Sequence, residues 1–285
     1  MSQITPQLVK ELREKTGAGM GDCKQALVDS NSDLNTAVEI LRKKGAASAD
    51  KRADRAAKEG IIAARTNNDS NLAVLVEINC ETDFVARNAE FERYVNTVVE
   101  AYMANNVSSL DELFELKVGS DSIIGLHNEI LAKFSEKIEI RRFDKIISNG
   151  YIADYIHAGS KLAVLIEVSE SNLNDKSKSL IRNIAMQIAA MNPQFVDRSQ
   201  VTQDTISKEI EIYKEVAIKE GKNPDIAERI ATGKLEKYYQ DSCLIEQVFV
   251  KDSSKTVKDV VAEISKESGM EVKILQFRRY YLGEV

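Results

Sequence analysis

The side chains that could carry out covalent chemistry are few and scattered. His127 and His157 are the two histidines; neither has a Cys or carboxylate at metal-ligand spacing, and no H-E-x-x-H is present. Cys23, Cys80 and Cys243 are too widely separated for a metal knuckle or a disulfide framework, and three thiols so placed fit a reducing compartment. No G-x-x-x-x-G-K-[ST] occurs. The run Gly17-Ala18-Gly19-Met20-Gly21-Asp22 superficially resembles a dinucleotide fingerprint, but Asp22 takes the third glycine's place and a helix, not a strand, precedes it. Glu77 and Glu167 end two similar strands and are expected to face solvent or to pair with nearby bases; nothing favours a paired-carboxylate hydrolase. With no Trp and 6% aromatics, a platform for stacking sugars or single-stranded nucleic acid is not suggested. No catalytic residue, resident metal or cofactor is expected.

One segment does invite a function. Glu77-Ile78-Asn79-Cys80-Glu81-Thr82-Asp83-Phe84-Val85-Ala86-Arg87 leaves a strand and enters a helix. Asn79, Thr82 and Asp83 are turn and cap residues, and Phe84 follows where a loop tip is normally polar. Residue types alone leave two readings open: Phe84 folds back into its own core, or it protrudes beside Asp83 as an acid-plus-aromatic wedge.

The elements that would position this segment are legible from periodicity. Residues 1–45 read as three short helices. Thr5-Pro6 caps the first, which Leu8, Val9 and Leu12 stripe; Met20, Cys23 and Leu27 mark the second; Leu34, Ala37, Val38 and Leu41 mark the third, with Gly45 expected just past its end. Residues 46–58 are small and charged and read as a solvated linker, helical only transiently. Residues 1–58 hold 11 basic and 8 acidic side chains, a net of +3, against −9 for the rest of a chain whose total is −6. Charge runs of this kind are usually solvated faces.

The body contains an internal repeat. Gly60-Ile61-Ile62-Ala63 returns as Gly150-Tyr151-Ile152-Ala153, and Leu72-Ala73-Val74-Leu75-Val76-Glu77 returns as Leu162-Ala163-Val164-Leu165-Ile166-Glu167, both 90 residues later. Each unit reads as strand, polar turn, strand and helix, the helices near residues 91–103 and 180–191. Ile140-Arg141-Arg142-Phe143 against Phe277-Arg278-Arg279-Tyr280 suggests a later offset of 137, hence an insertion of 47 residues, placed at 196–242. That insertion reads as two helices, striped by Ile206, Ile210, Tyr213 and Ala217 and by Ala227, Ile230, Leu235 and Tyr238. Gly221-Lys222-Asn223-Pro224 breaks them, so they should fold back as a hairpin. Such a hairpin has too small a core to stand alone and must pack on its own domain or on a partner.

Composition bounds the class. The 285 residues are 43% hydrophobic and 29% charged, which is globular rather than disordered. No apolar run reaches about 18 residues and the N-terminus lacks an apolar signal stretch, so neither a membrane span nor secretion is expected. The net negative charge argues against a nucleic-acid binder.

Two long motifs then point to a family. Leu12-Arg13-Glu14-Lys15-Thr16-Gly17-Ala18-Gly19-Met20-Gly21-Asp22-Cys23-Lys24-Gln25-Ala26-Leu27 resembles the first signature of the elongation factor Ts family, the guanine nucleotide exchange factors of elongation factor Tu. Residues 77–87 resemble the second signature. Residues 221–234 followed by Cys243-Leu244-Ile245-Glu246-Gln247 resemble the end of that family's coiled-coil region. The likeness covers essentially the whole chain. It implies an α+β protein in four parts: a three-helix module similar to ubiquitin-associated (UBA) domains with its linker (1–57), two homologous core subdomains with antiparallel sheets (58–147; 148–195 with 243–285), and a helical dimerisation hairpin (196–242) inserted in the second. It implies a cytoplasmic translation factor that is not an enzyme. The factor would bind elongation factor Tu, GDP-bound or nucleotide-free, and promote GDP release, with a homodimer possible through the hairpin and no direct nucleic-acid or membrane partner. Thr82, Asp83, Phe84 and Val85 would enter the partner beside its magnesium site, and Arg13 and Met20 would contact its nucleotide-binding domain. The resemblance favours the outward Phe84. Gly21 stands where close relatives can carry a second large apolar residue. The sequence ends at Val285, where some members continue into a further partner-contacting helix. An RNA-associated or structural translation protein using residues 42–58 is the alternative.

Overall fold

The computed structural model describes residues 4–50 and 52–284. Residues 1–3 and 285, at the ends of the expected N- and C-terminal parts, and Lys51 of the expected linker lie outside them. Helix α1 (Pro6–Thr16) starts at the expected cap: the Thr5 hydroxyl accepts from the Leu8 N–H at 3.2 Å, and Pro6 follows with its φ already helical. Gly17, at φ 70°, closes it. Helices α2 (Met20–Asp29) and α3 (Leu34–Asp50) complete a small core around Leu12, Cys23, Leu27, Ala37 and Leu41.

Strands β1 (Glu59–Thr66) and β2 (Leu72–Cys80) form an antiparallel hairpin. A single helical turn, α4 (Asp83–Ala86), then leads to α5 (Ala89–Ala104) and α6 (Leu110–Glu115). A two-stranded ribbon, β3 (Lys117–Val118) and β4 (Asp121–Ser122), precedes α7 (Ile123–Phe134). Strand β5 (Ile138–Ile147) closes the sheet in the order β1-β2-β5.

Here the sequence expectation for Gly45 fails. Gly45 does not end α3; the helix runs on to Asp50. Alanines at 46, 47 and 49 are strong helix formers, and Gly45 serves a different purpose. A Cβ there would lie 2.8 Å from the Ala132 Cβ and 2.8 Å from the Asn128 carbonyl oxygen, both on α7. The missing side chain lets α3 and α7 touch backbone to backbone. Arg42 of α3 fastens the contact by pairing with Asp121 at 3.2 Å and with Glu129.

The second unit repeats the first. Strands β6 (Tyr151–Ile156) and β7 (Leu162–Val168) pair as β1 and β2 do: Ile62 faces Glu77 and Ile152 faces Glu167, each 90 residues apart. Helix α8 (Asp175–Met191) follows, then the hairpin α9 (Gln203–Lys219) and α10 (Pro224–Ser242), helix α11 (Val257–Ser268) and strand β8 (Ile274–Tyr281), in the sheet order β6-β7-β8.

The offset of 137 expected for the last strand is corrected. Val76 faces Phe143 and Ile166 faces Phe277, so β5 and β8 correspond at 134 (277 − 143), and the extra chain in the second unit is 44 residues (134 − 90) rather than 47. Both sheets carry a bulge at the same place, after Glu77 and after Glu167. The reason is side-chain direction. Phe143 and Phe277 point toward helices, whereas Tyr280 points between the sheets, and an odd shift in register would turn every side chain to the wrong face. The matching Arg-Arg-aromatic strings are therefore a likeness of composition, not of position.

The layers stack helix, sheet, sheet, helix. Val74, Val76 and Ile78 of β2 pack on Phe91, Val95 and Val98 of α5. Val164, Ile166 and Val168 of β7 pack on Ile181, Ile184 and Ile188 of α8. Between the sheets lie Ile62, Leu75 and Ile146 against Ile152, Leu165 and Tyr280. The junction is reciprocal: the Ile62 N–H donates to the Ser160 carbonyl and the Ile152 N–H to the Ser70 carbonyl, both at 2.7 Å. Each turn reaches the other unit's first strand, as in a self-complementary two-fold interface.

In the hairpin, the Asn223 side chain accepts from the Ile226 N–H at 2.9 Å and Pro224 opens α10. Ala217, Ala227 and Ala231 are buried between the helices. Arg198 fixes the base by pairing with Glu236 at 2.8 Å and Glu246 at 2.5 Å.

Candidate functional site

The loop singled out by its residue types leaves the buried end of β2. Cys80 is sealed beneath it; burial pushes its thiol up to about 12, so it stays a neutral donor, 3.2 Å from the Thr82 carbonyl. Thr82 is extended and caps α4, its hydroxyl accepting from the Val85 N–H. Val85 and Ala86 turn inward and anchor the turn in the core. Phe84 points the other way and is 83% exposed. Of the two readings open from the sequence, the outward one holds. Beside it, Asp83 pairs with Arg87 one turn on, at 3.2 Å, and sits at the helix N-terminus, where a carboxylate is favoured.

Two carboxylates hold this tip. Glu136, just past α7, accepts through Oε2 from the Glu81 N–H at 3.1 Å and the Thr82 N–H at 3.0 Å, and through Oε1 from the Thr82 hydroxyl at 2.6 Å. Glu81 reciprocates, accepting from the Lys137 N–H at 2.6 Å and from Arg55 at 3.2 Å. The Lys137 N–H, and then Arg55, hold the Glu81 carboxyl below the usual carboxylate range. Buried Arg52 donates to the Glu136 carbonyl at 2.8 Å and to the Leu131 carbonyl, where a cation complements a helix C-terminus. The segment read from sequence as a solvated linker thus supplies two arginines to the support of the loop. Nothing in spacing links Glu136 to Thr82, 54 residues away, or marks Arg52 as buried.

Of the remaining residues singled out, Met20 opens α2 and is 56% exposed; Arg13 lies in the last turn of α1 and is also exposed. Val85, expected to touch a partner, is 6% exposed and faces its own core. The N-terminal helices dock on α7 through Gly45 and the Arg42–Glu129 pair, and the 82–85 tip is held by Glu136, two residues past the end of α7.

Three further ionisable groups, His127, Glu77 and Glu167, are buried within the fold. His127 is buried against the Tyr94 hydroxyl at 2.7 Å; desolvation lowers it to about 4, so it is neutral near pH 7. Glu77 does not reach solvent: it is fully buried and pairs with Arg142 at 2.6 Å. Glu167 is buried too, taking the Gln276 amide instead of a base. Among the described residues no group of three His, Cys, Asp or Glu side chains is placed to hold a metal ion, and no helix is long and apolar enough to cross a membrane.

Residues 81–284 match the family model described as Elongation factor TS. A protein named Elongation factor Ts from Chloroherpeton thalassium is 47% identical over all of this chain and all of its own length. Those from Prosthecochloris aestuarii and Clostridioides difficile are 43% and 41% identical, over 99% and 100% of this chain and 100% and 94% of their own.

The chain belongs to the elongation factor Ts family. The family match begins at Glu81, the first residue of the loop that carries Phe84. The matches to these relatives span the whole chain and so also cover the N-terminal helices.

Proposed function

We propose that this protein is a translation elongation factor that binds elongation factor Tu in its GDP-bound and nucleotide-free forms and speeds GDP release, with no covalent step. The observation that carries the reading is the outward ring of Phe84 on a tip held by Glu136 and flanked by Asp83. Bound GDP is held by Mg²⁺ and by backbone donors around its phosphates. A factor that binds a partner conformation in which those contacts are poorer weakens GDP by the same coupling energy that GDP imposes on it. Burying one Phe contributes about 1.5–3 kcal/mol, comparable with a typical coupling of about 1–3 kcal/mol. In this reading Phe84 displaces helices of the partner, and Asp83 disturbs the carboxylate and water network around the metal. Thr82 shapes the tip, and Val85 supports it from beneath. Arg13 and Met20 form a second contact with the nucleotide-binding domain.

The same reading divides the chain into a UBA-like helical module with its linker (1–57), two core subdomains (58–147; 148–195 with 243–285) and a coiled-coil hairpin (196–242), acting in the cytoplasm. Exposed Ile212, Val216 and Ile226 on the hairpin support its use for self-association. The RNA-associated alternative drew on residues 42–58. There Arg42, Lys44, Arg52 and Arg55 are each engaged with a carboxylate or a carbonyl, which favours exchange over RNA binding.

The test is release of a fluorescent GDP from purified elongation factor Tu. Acceleration by the full chain is expected; release at the unassisted rate overturns the reading.

A further inference from the structure

We infer that Glu136 is a positioning residue for the Asp83–Phe84 tip, and that it ties the tip to the segment leaving the helix on which the N-terminal helices are docked. This rests on the exchange reading above and adds a residue and a mechanical link to it.

The geometry is specific. Both oxygens of one carboxylate are used, on two consecutive backbone N–H groups and on the Thr82 hydroxyl, the group that also caps α4. The return bonds from Glu81 to the Lys137 N–H and Arg55, and the hold of Arg52 on the Glu136 carbonyl, leave the junction between the end of α7 and the end of β2 little freedom to shift. Charged acceptors make the stronger hydrogen bonds. The tip itself is one helical turn, too short to hold its shape unaided.

Helix α7 itself carries the N-terminal helices. Gly45 lies against Asn128 and Ala132, Arg42 pairs with Glu129, and Gly17 lies against the side chain of Lys133, which also pairs with Glu90 of α5. The surface bearing Arg13 and Met20 and the tip bearing Phe84 are therefore both held through α7 and the two residues that follow it. A factor that grips a partner at two points uses its binding energy fully only when both points are already at the right separation, because ordering a loose tip on binding subtracts from the energy available for the conformational change. Glu136 acts through the tip and touches no nucleotide.

The experiment uses the full chain. Stimulated release of fluorescent GDP from elongation factor Tu is followed over a range of factor concentrations for the wild type, Glu136→Ala, Glu136→Gln, Phe84→Ala and the Glu136→Ala/Phe84→Ala double variant. Glu136→Ala is expected to lower the maximal stimulated rate about tenfold and to speed amide deuterium exchange at residues 81–85. Glu136→Gln should recover most of the rate, since its amide oxygen can accept from the two N–H groups and its NH₂ can donate to the Thr82 hydroxyl. The double variant should be no slower than Phe84→Ala, because a residue that works through the tip has nothing left to position once the ring is gone. A wild-type rate for Glu136→Ala beside a slow Phe84→Ala overturns the inference and spares the exchange reading. Additive losses in the double variant also overturn it. A wild-type rate for Phe84→Ala removes the tip reading itself. Should Glu136→Ala fail to fold, Glu136→Asp carries the same test: it keeps the charge, falls one carbon short of Thr82, and must slow release.

Discussion

Arg142 donates from Nε to the fully buried carboxylate of Glu77 at 2.6 Å. In the second sheet the corresponding residue opposite Glu167 is Gln276, whose amide donates at the same distance. The two units meet the same demand, a carboxylate facing the sheet junction, once with a charge and once without. Arg142 also stacks on the Tyr280 ring, 4.0 Å away, and donates to the Tyr281 carbonyl, so it joins the two sheets. Arg142→Ala is expected to cost about 3 kcal/mol, the low end for one broken partner of a buried pair because the guanidinium keeps some contact with water. Gln276→Ala should cost less, about 1–2 kcal/mol. Urea unfolding of the two variants checks the order.

Phe84→Ala should leave stability within about 0.5 kcal/mol of the wild type, because the ring packs on nothing in its own core. Stimulated GDP release should slow tenfold or more, the equivalent of about 1.5–3 kcal/mol of lost burial in the complex. Thermal unfolding and the release assay separate the two effects.

Gly45→Ala distinguishes helix propensity from helix packing. In an isolated helix the change stabilises by about 1 kcal/mol. Here the added methyl meets the Ala132 Cβ and the Asn128 carbonyl at 2.8 Å, and overpacking of this kind costs about 1–3 kcal/mol. Net destabilisation is expected, with faster deuterium exchange along α3 and α7. A gain in stability would mean that the two helices part freely.

Buried His127 gives stability a pH dependence of known sign. Its pKa is near 4 in the folded protein and near 6.5 in an unfolded chain. Between those values the unfolded chain binds a proton that the folded one does not. This contribution therefore falls as pH drops from about 6.5, by at most about 1.4 kcal/mol per pH unit, and levels off below about 4. His127→Gln keeps a polar partner for Tyr94 and should flatten this part of the profile, as measured by urea midpoints at pH 7 and pH 5.

On the hairpin, Lys at positions 212 and 216 in place of Ile212 and Val216 should weaken self-association while leaving the two sheets intact, since both side chains are exposed, whereas Ala217 and Ala227 are buried. Sedimentation at several concentrations reads the first effect and far-UV circular dichroism the second. Unchanged sedimentation would count against a dimerising hairpin.

What this protein's amino-acid sequence determined by itself is local or repeated. Thr5-Pro6 and Asn223-Pro224 cap their helices because a side-chain oxygen and a fixed φ act within one turn. The 90-residue repeat and the folding back of α9 on α10 follow from apolar periodicity and short polar turns. The tertiary structure decided the rest. Gly45 is a contact surface only because α7 lies across it, and the 134-residue correspondence of β5 and β8 depends on which face each strand buries. Phe84 points outward because Val85 and Ala86 occupy the core beneath it. Glu136 and Arg52 support that tip through bonds spanning 54 and 84 residues. Partners that far apart leave no period or motif in a chain, since the fold alone brings them within hydrogen-bond reach.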